Sequence, residues 1–268
     1  MSKKIELPLD KVLEVYNETQ SINAVAKYFQ VHWGVAKRHC DELGILNDTH
    51  KNQYGNYEQY NLFTKIETEE DAYWLGILYA DGWVRSDKNE IGLGAQEKDV
   101  DLIYKWKTYT GSQNKISVKR KEDIKPKVAP DGHLIKATQD FYTLTFSSKI
   151  TKDNLSSLGC LPNKSKILHC PTIDQVPDSL IRHFARGFCD GDGSIRWGKR
   201  KSFELVSASI NFLVELTTRL KIINYGTFRD KMRFNVYRQE DVKKILDLLY
   251  KDAQIYLDRK YKLYLQSN

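Results

Sequence analysis

Apolar positions along this chain fall into helical and strand periods in an order that occurs twice. Ahead of that double pattern, residues 9–46 carry three short stripes at helical spacing: Leu9, Val12, Leu13 and Tyr16; then Ile22, Ala24, Val25, Ala26, Tyr28 and Phe29; then a run from Val35 to Leu43. They predict three short helices, the last ended by Gly44. Residues 47–61 are polar and rich in Tyr, Asn and Gln with no apolar period, which predicts a linker. Thr68-Glu69-Glu70-Asp71 has the spacing of an N-terminal capping box and opens a helix that runs to an Asp-Gly pair. Beyond it the pattern predicts a short strand after Gly82, a strand over 90–96, a helix over 98–109, strands over 115–119 and 141–146, and a helix over 150–158. The series returns after a second Asp-Gly: a strand after Gly193, a strand over 203–208, a helix over 210–220, strands over 226–229 and 232–237, and a helix over 239–250. The expected fold class is α+β, an αββαββα order written twice behind a small all-α unit. The boundaries read as 1–46 for that unit, 47–61 for the linker, 62–172 for the first repeat and 173–268 for the second.

The repeats begin with two segments that copy one another, Trp74-Leu75-Gly76-Ile77-Leu78-Tyr79-Ala80-Asp81-Gly82 and Ala185-Arg186-Gly187-Phe188-Cys189-Asp190-Gly191-Asp192-Gly193. Small residues fall four apart in each, Gly76 with Ala80 and Gly187 with Gly191, on one helical face where two backbones can approach. Gly82 and Gly193 are expected to make the sharp exit from helix to strand. Asp81 and Asp192 then stand at the C-terminal ends of two touching helices, where the helix dipole is negative and a carboxylate is disfavoured. Paired carboxylates in that position call for a cation. A single Asp-Gly would be read as a helix end and a turn; two in equivalent helices argue for more.

Both segments resemble the motif of the LAGLIDADG homing endonucleases, in the form that carries two motifs in one chain, and the resemblance extends over roughly residues 60–268. It implies that the two repeats form a DNA-binding saddle. It also implies that Asp81 and Asp192, the last acidic residue of each motif, bind divalent metal, expected to be Mg²⁺ since only hard oxygen ligands are on offer. The sixth motif position is Asp190 in one copy and Tyr79 in the other, a departure at a position not needed for metal. By the same resemblance Gln96 matches a glutamine near the reacting phosphate, with Ser207 at the equivalent place. The family's lysine matches Lys164 or Lys166 and Lys260 or Lys262, of which Lys164 and Lys260 are carried forward as catalytic. Residues 21–39 resemble a helix-turn-helix with Lys37, Arg38 and His39 on its recognition helix; the plainer alternative is a packing appendage. The implied activity is site-specific, Mg²⁺-dependent double-strand cleavage of DNA by a monomer that promotes insertion of its own coding element. The alternatives on the same scaffold are a non-catalytic DNA-binding regulator and an intron RNA maturase.

Composition bears on the partner. Forty-two Lys and Arg against 35 Asp and Glu leave a net charge of +7 in 268 residues, which favours a polyanion. Arg85, Lys119, Arg120, Lys121, Arg196, Lys199, Arg200, Lys201, Arg229, Lys231, Arg233 and Arg238 cluster in the predicted strands and turns and are expected to contact DNA. Trp83, Trp106, Trp197, Phe203 and Phe234 are expected to pack rather than stack on bases. Asp81 and Asp192 are 111 residues apart, whereas Lys164 and Lys260 are only 96 apart, so the first repeat holds extra chain, placed here in a lysine-rich loop at 120–140. Unequal loops predict a long asymmetric target. Four cysteines without a C-x-x-C pair are expected to be reduced thiols and not a zinc site. With no apolar run of membrane length and no leader-like start, the chain is expected to be intracellular.

Overall fold

The structure is a computed structural model that describes residues 5–19, 21–43, 45, 61–128, 132 and 134–267. The chain divides into two compact units, Met1–Glu58 and Gln59–Asn268. Gly44 and all but the last residue of the expected linker lie outside the described residues.

In the first unit, α1 (Leu9–Thr19), α2 (Ile22–Tyr28) and α3 (Trp33–Glu42) enclose a small core of Val12, Val15, Ile22, Val25, Ala36 and Cys40. Ser21 caps α2 by accepting the Ala24 amide, and the His32 ring caps α3 by accepting the Gly34 amide. His39, expected on a DNA-facing surface, turns inward and is 1% exposed. The α3 period puts it on the buried face with Ala36 and Cys40. Its Nδ1 donates to the Val35 carbonyl at 2.9 Å and its Nε2 accepts the Leu7 amide at 3.0 Å, which ties the chain ahead of α1 onto α3. Glu6, His39 and Glu42 offer three metal-ligating groups within reach of one another, but Arg38 already lies between the two carboxylates, 3.7 Å from Glu6 and 3.8 Å from Glu42.

The second unit opens with α4 (Glu69–Ala80), started by the expected capping box: Thr68 Oγ1 accepts the Asp71 amide and Asp71 accepts the Thr68 amide, each at 3.1 Å. Ala72 to Tyr79 are all buried, so this helix is covered on every side. Then follow β1 (Trp83–Val84), β2 (Glu90–Gln96), α5 (Val100–Thr110), β3 (Ser117–Lys119), β4 (Lys127–Val128), β5 (Leu134–Ile135), β6 (Phe141–Ser147) and α6 (Lys149–Ser157). After α7 (Ile181–Asp192) come β7 (Gly193–Trp197), β8 (Lys201–Val206), α8 (Ile210–Arg219), β9 (Thr227–Arg229), β10 (Arg233–Val236), α9 (Gln239–Tyr250) and α10 (Asp258–Leu265). The strands make two antiparallel four-stranded sheets of one plan, β1-β2-β6-β3 and β7-β8-β10-β9. α4 and α7 pack together in the core, with Tyr79, Phe184, Phe188 and Phe212 in ring contact. Trp106, Phe203 and Phe234 are fully buried, while Trp83 and Trp197 are half-buried.

Two features differ from expectation. The loop placed at 120–140 contains a two-stranded ribbon, β4 with β5; the second half has instead a tight turn in which Asp230 and Lys231 take φ of 52° and 54°. The final basic phrase is a helix, α10, because Leu257 to Tyr264 bury Leu257, Lys260 and Tyr264 at helical spacing. Among the described residues no helix is long and apolar enough to cross a membrane. All four cysteines are free thiols.

Candidate active site

The seam between α4 and α7 is backbone against backbone. A Cβ on Gly76 would lie 2.0 Å from the Phe184 carbonyl oxygen and 2.8 Å from the Phe188 nitrogen; one on Gly187 would lie 2.0 Å from the Tyr73 oxygen and 3.0 Å from the Ile77 nitrogen. The contact is reciprocal. Further along, a Cβ on Gly191 would lie 2.3 Å from Ala80 Cβ and 3.0 Å from an Asp81 carboxylate oxygen, so Asp81 rests against the other helix. Gly82 and Gly193 stand at the expected exits from helix to strand, and neither has a positive φ. What they supply is room: a Cβ would meet Leu78 Cδ2 at 2.4 Å in one case and the Cys189 carbonyl at 2.4 Å in the other.

Asp81 is the C-cap of α4 and Asp192 the last residue of α7. Both side chains are open to solvent on one side and surrounded by protein on the others. This partial desolvation lifts both carboxyls above their ordinary range, and for Asp192 the charge of Asp81 adds to it, reaching about 6. Lys260 and Lys164 act in the opposite sense on both. These two lysines are 2% and 7% exposed, whereas Lys262 and Lys166, which the sequence left as alternatives, are exposed. The Lys164 ammonium donates to the Gly82 carbonyl. That of Lys260 donates to the Cys189 carbonyl, to Asp190 at 2.9 Å and to Gly193 at 2.7 Å. Each lysine therefore sits on the orphan carbonyls at the end of a motif helix, where the helix dipole favours a cation.

Gln96 is exposed at the end of β2, one short turn before Asp99, whose charge reaches Asp81. Ser207 is buried and accepts the Ser209 amide in the turn that starts α8. The basic residues expected at DNA are mostly exposed on strands and turns, and several are held by neighbouring acids: Arg85 by Asp87 at 2.8 Å, Arg120 by Asp140 at 2.5 Å, Arg233 by Glu204 at 3.5 Å, Arg238 by Glu240 at 2.7 Å. Lys201 lies over the Trp197 ring and Arg229 over Tyr237. Arg196, Lys199, Arg200, Lys119, Lys121 and Lys231 are exposed. In the first unit Lys37 pairs with Asp41 at 2.5 Å, and Arg38 donates to the Ile5 carbonyl.

A buried polar network behind the helix ends was not foreseen. Asp190, inside α7 and 3% exposed, accepts from Tyr73 at 2.9 Å, Tyr250 at 2.6 Å and the Leu257 amide at 2.8 Å. Arg186, one turn earlier and fully buried, donates to the Ile255 and Leu249 carbonyls and to Glu69 at 2.6 Å. His183 beside it is pushed down to about 4 by burial and by the Arg186 charge. Two opposite charges four apart, on one face of the second motif helix, were the available signal. The network also explains the unequal sixth motif position. Tyr79 donates to the Leu158 carbonyl and Asp190 accepts the Leu257 amide, so each anchors the main chain that leads to a buried lysine. Arg259 to Asp99 (2.9 Å) and Lys105 to Asp258 (2.6 Å) bind α10 across to the first half.

No family model and no curated protein matches the chain. Among solved structures it is similar to the homing endonuclease I-WcaI bound to its DNA recognition sequence, at 12% identity over 81% of this chain and 91% of that one, with a TM-score of 0.49. It is also similar to the I-SmaMI LAGLIDADG homing endonuclease bound to cleaved DNA, at 11% identity over 76% of this chain and 88% of that one (TM-score 0.44). A third is the N-terminal LAGLIDADG domain of DUF199/WhiA, at 13% identity over 79% and 96% (TM-score 0.42).

Proposed function

We propose that this chain is a divalent-metal-dependent DNA endonuclease that cuts both strands of a long asymmetric site, working as a monomer, with Asp81 and Asp192 as the metal ligands. The observation that carries the reading is the meeting of two solvent-open aspartates at the ends of two helices in backbone contact, their charged forms disfavoured by burial and, at Asp192, by the other aspartate. Two hard oxygen donors that resist ionisation side by side are a set a divalent cation fits, and Mg²⁺ suits it better than a soft metal. Such an ion, when bound, would polarise a phosphate and make a water molecule acidic enough to attack it.

The chain's own groups do the rest. Each half contributes one aspartate, which matches one phosphate on each strand. Lys164 and Lys260 hold the helix ends and keep two positive charges beside the carboxylates, where phosphate charge would gather. Gln96 is the candidate for ordering water at this centre. The exposed cations of the two sheets, Arg196 and Lys119 among them, would bind phosphates along the duplex, and α3 with Lys37 and Arg38 would add a helix-turn-helix contact. A non-catalytic DNA binder is the second reading. It is favoured by one observation, the commitment of both buried ammonium groups to main-chain carbonyls, which is a structural use of charge.

Incubating the protein with a randomised duplex library, with Mg²⁺ and then with chelator, tests the proposal. Mg²⁺-dependent double-strand cuts, absent in Asp192→Ala while binding persists, are expected. Tight binding with no cutting by the native protein would overturn it in favour of the second reading.

A further inference from the structure

The inserted ribbon has no counterpart in the second half, and it stands beside a cleft of about 530 Å³ between itself and the first sheet. Lys119, Lys125, Lys127 and Lys136 line that cleft with Gln96, and among the described residues no carboxylate does. All four lysines are exposed, and none pairs with a described carboxylate. The acid at the stem is used elsewhere: Asp140 takes the Arg120 guanidinium at 2.5 Å and the Lys121 amide at 3.0 Å. With Gln139 accepting the Lys98 amide and the Asp140 carbonyl accepting that of Glu97, the stem is fixed to the turn just beyond Gln96.

The ribbon adds almost nothing to the core. Lys127 pairs with Ile135 on one face and Val128 with Leu134 on the other, and Val128, Leu134 and Ile135 are 70%, 59% and 52% exposed. A short two-stranded ribbon is barely stable in water by itself. Here the ribbon, its stem and β3 set around a groove four cations that pair with no described carboxylate, and the ribbon leaves aliphatic side chains bare, an arrangement complementary to a chain of phosphates joined by apolar sugar edges.

We propose that this cleft clamps the sugar–phosphate backbone of duplex DNA, on the first half only. The inference rests on the reading that the chain binds DNA and adds where, and how unequally, it does so. Lys125, Lys127 and Lys136 supply phosphate contacts that the tight turn after β9 cannot reproduce, so affinity is weighted to one flank of the site.

The test is the salt dependence of binding to a labelled 40-base-pair duplex of random sequence, comparing native protein with the triple variant Lys125→Gln, Lys127→Gln, Lys136→Gln. Each lost phosphate contact reduces the slope of log K against log salt by about 0.9, so a reduction of about 2 to 3 is expected. A control that removes the same charge elsewhere, Lys65→Gln, Lys243→Gln, Lys251→Gln, is expected to change the slope by less than about 1. If the two triple variants behave alike, the clamp is refuted while DNA binding stands. If the native protein does not bind the duplex, the clamp and the function it rests on fail together.

Discussion

Gly76→Ala turns the seam into a measurable quantity. The new methyl would lie 2.0 Å from the Phe184 carbonyl oxygen, and ordinary carbon–oxygen contact needs more than 3 Å, so α4 and α7 must part by about 1 Å. The obstacle is main chain, which cannot turn aside as a side chain would. Overpacking of this kind typically costs 1–3 kcal/mol, and the parted helices also lose contact among Tyr73, Ile77, Phe184 and Phe188, none of which is exposed. Alanine's better helix propensity returns about 1 kcal/mol, which about ten lost atom contacts at roughly 0.1–0.2 kcal/mol each take back, leaving a net loss of roughly 1–3 kcal/mol. In a unit of this size that lowers Tm by about 2–10 °C. Gly187→Ala meets the Tyr73 oxygen at the same 2.0 Å and should behave alike. Since one separation relieves both clashes, the double variant should lose at least about 1 kcal/mol less than the sum of the two. Urea unfolding followed by the fluorescence of buried Trp74 and Trp106 reads all three variants. A Gly76→Ala protein within about 0.5 kcal/mol of native, or strictly additive losses, would refute the backbone-contact argument.

Two further outcomes concern charge. His183 is held to about 4 in the folded chain, whereas a free histidine takes its proton near 6.5, so the unfolded state binds a proton that the native state refuses. Stability is therefore complete at neutral pH and falls as pH drops from about 6.5 towards 4; His183→Gln should make that decline shallower in thermal scans, and an unchanged profile would count against it. Asp81→Asn removes the like charge beside Asp192, so the Asp192 carboxyl, raised to about 6, should titrate lower by carbon NMR; a static or rising value would mean that the two aspartates do not sense each other.

The duplicated glycine spacing and the capping box made the central helix pair legible, because both depend on contacts within a few residues of one another. Strand positions such as Phe141–Ser147 followed from alternation for the same reason. The ribbon escaped because two-residue strands carry no period, and α10 because its apolar positions were read only as a basic phrase. His39 was read by residue type, when its place between Ala36 and Cys40 on the α3 face already put it inside. Which lysine of each pair is buried depends on packing between distant segments, Lys260 against Cys189 and Lys164 against Gly82, and no local signal carries that.

The unequal sixth motif position gives the seam a key. On one flank the Tyr73 hydroxyl donates to Asp190; at the corresponding place on the other, Phe184 meets Tyr79 edge-on with ring centres 5.0 Å apart. Two copies of the second half brought together would set Phe184 across from Asp190 on both flanks, leaving two buried carboxylates each short of a donor. Two copies of the first would face Tyr73 with Tyr79 and bury the Tyr73 hydroxyl without its present acceptor, Asp190, while Tyr79 keeps the Leu158 carbonyl. Each half thus fits the other better than its own duplicate, so either half could be exchanged for a related one only where the newcomer restores the hydrogen bond between positions 73 and 190.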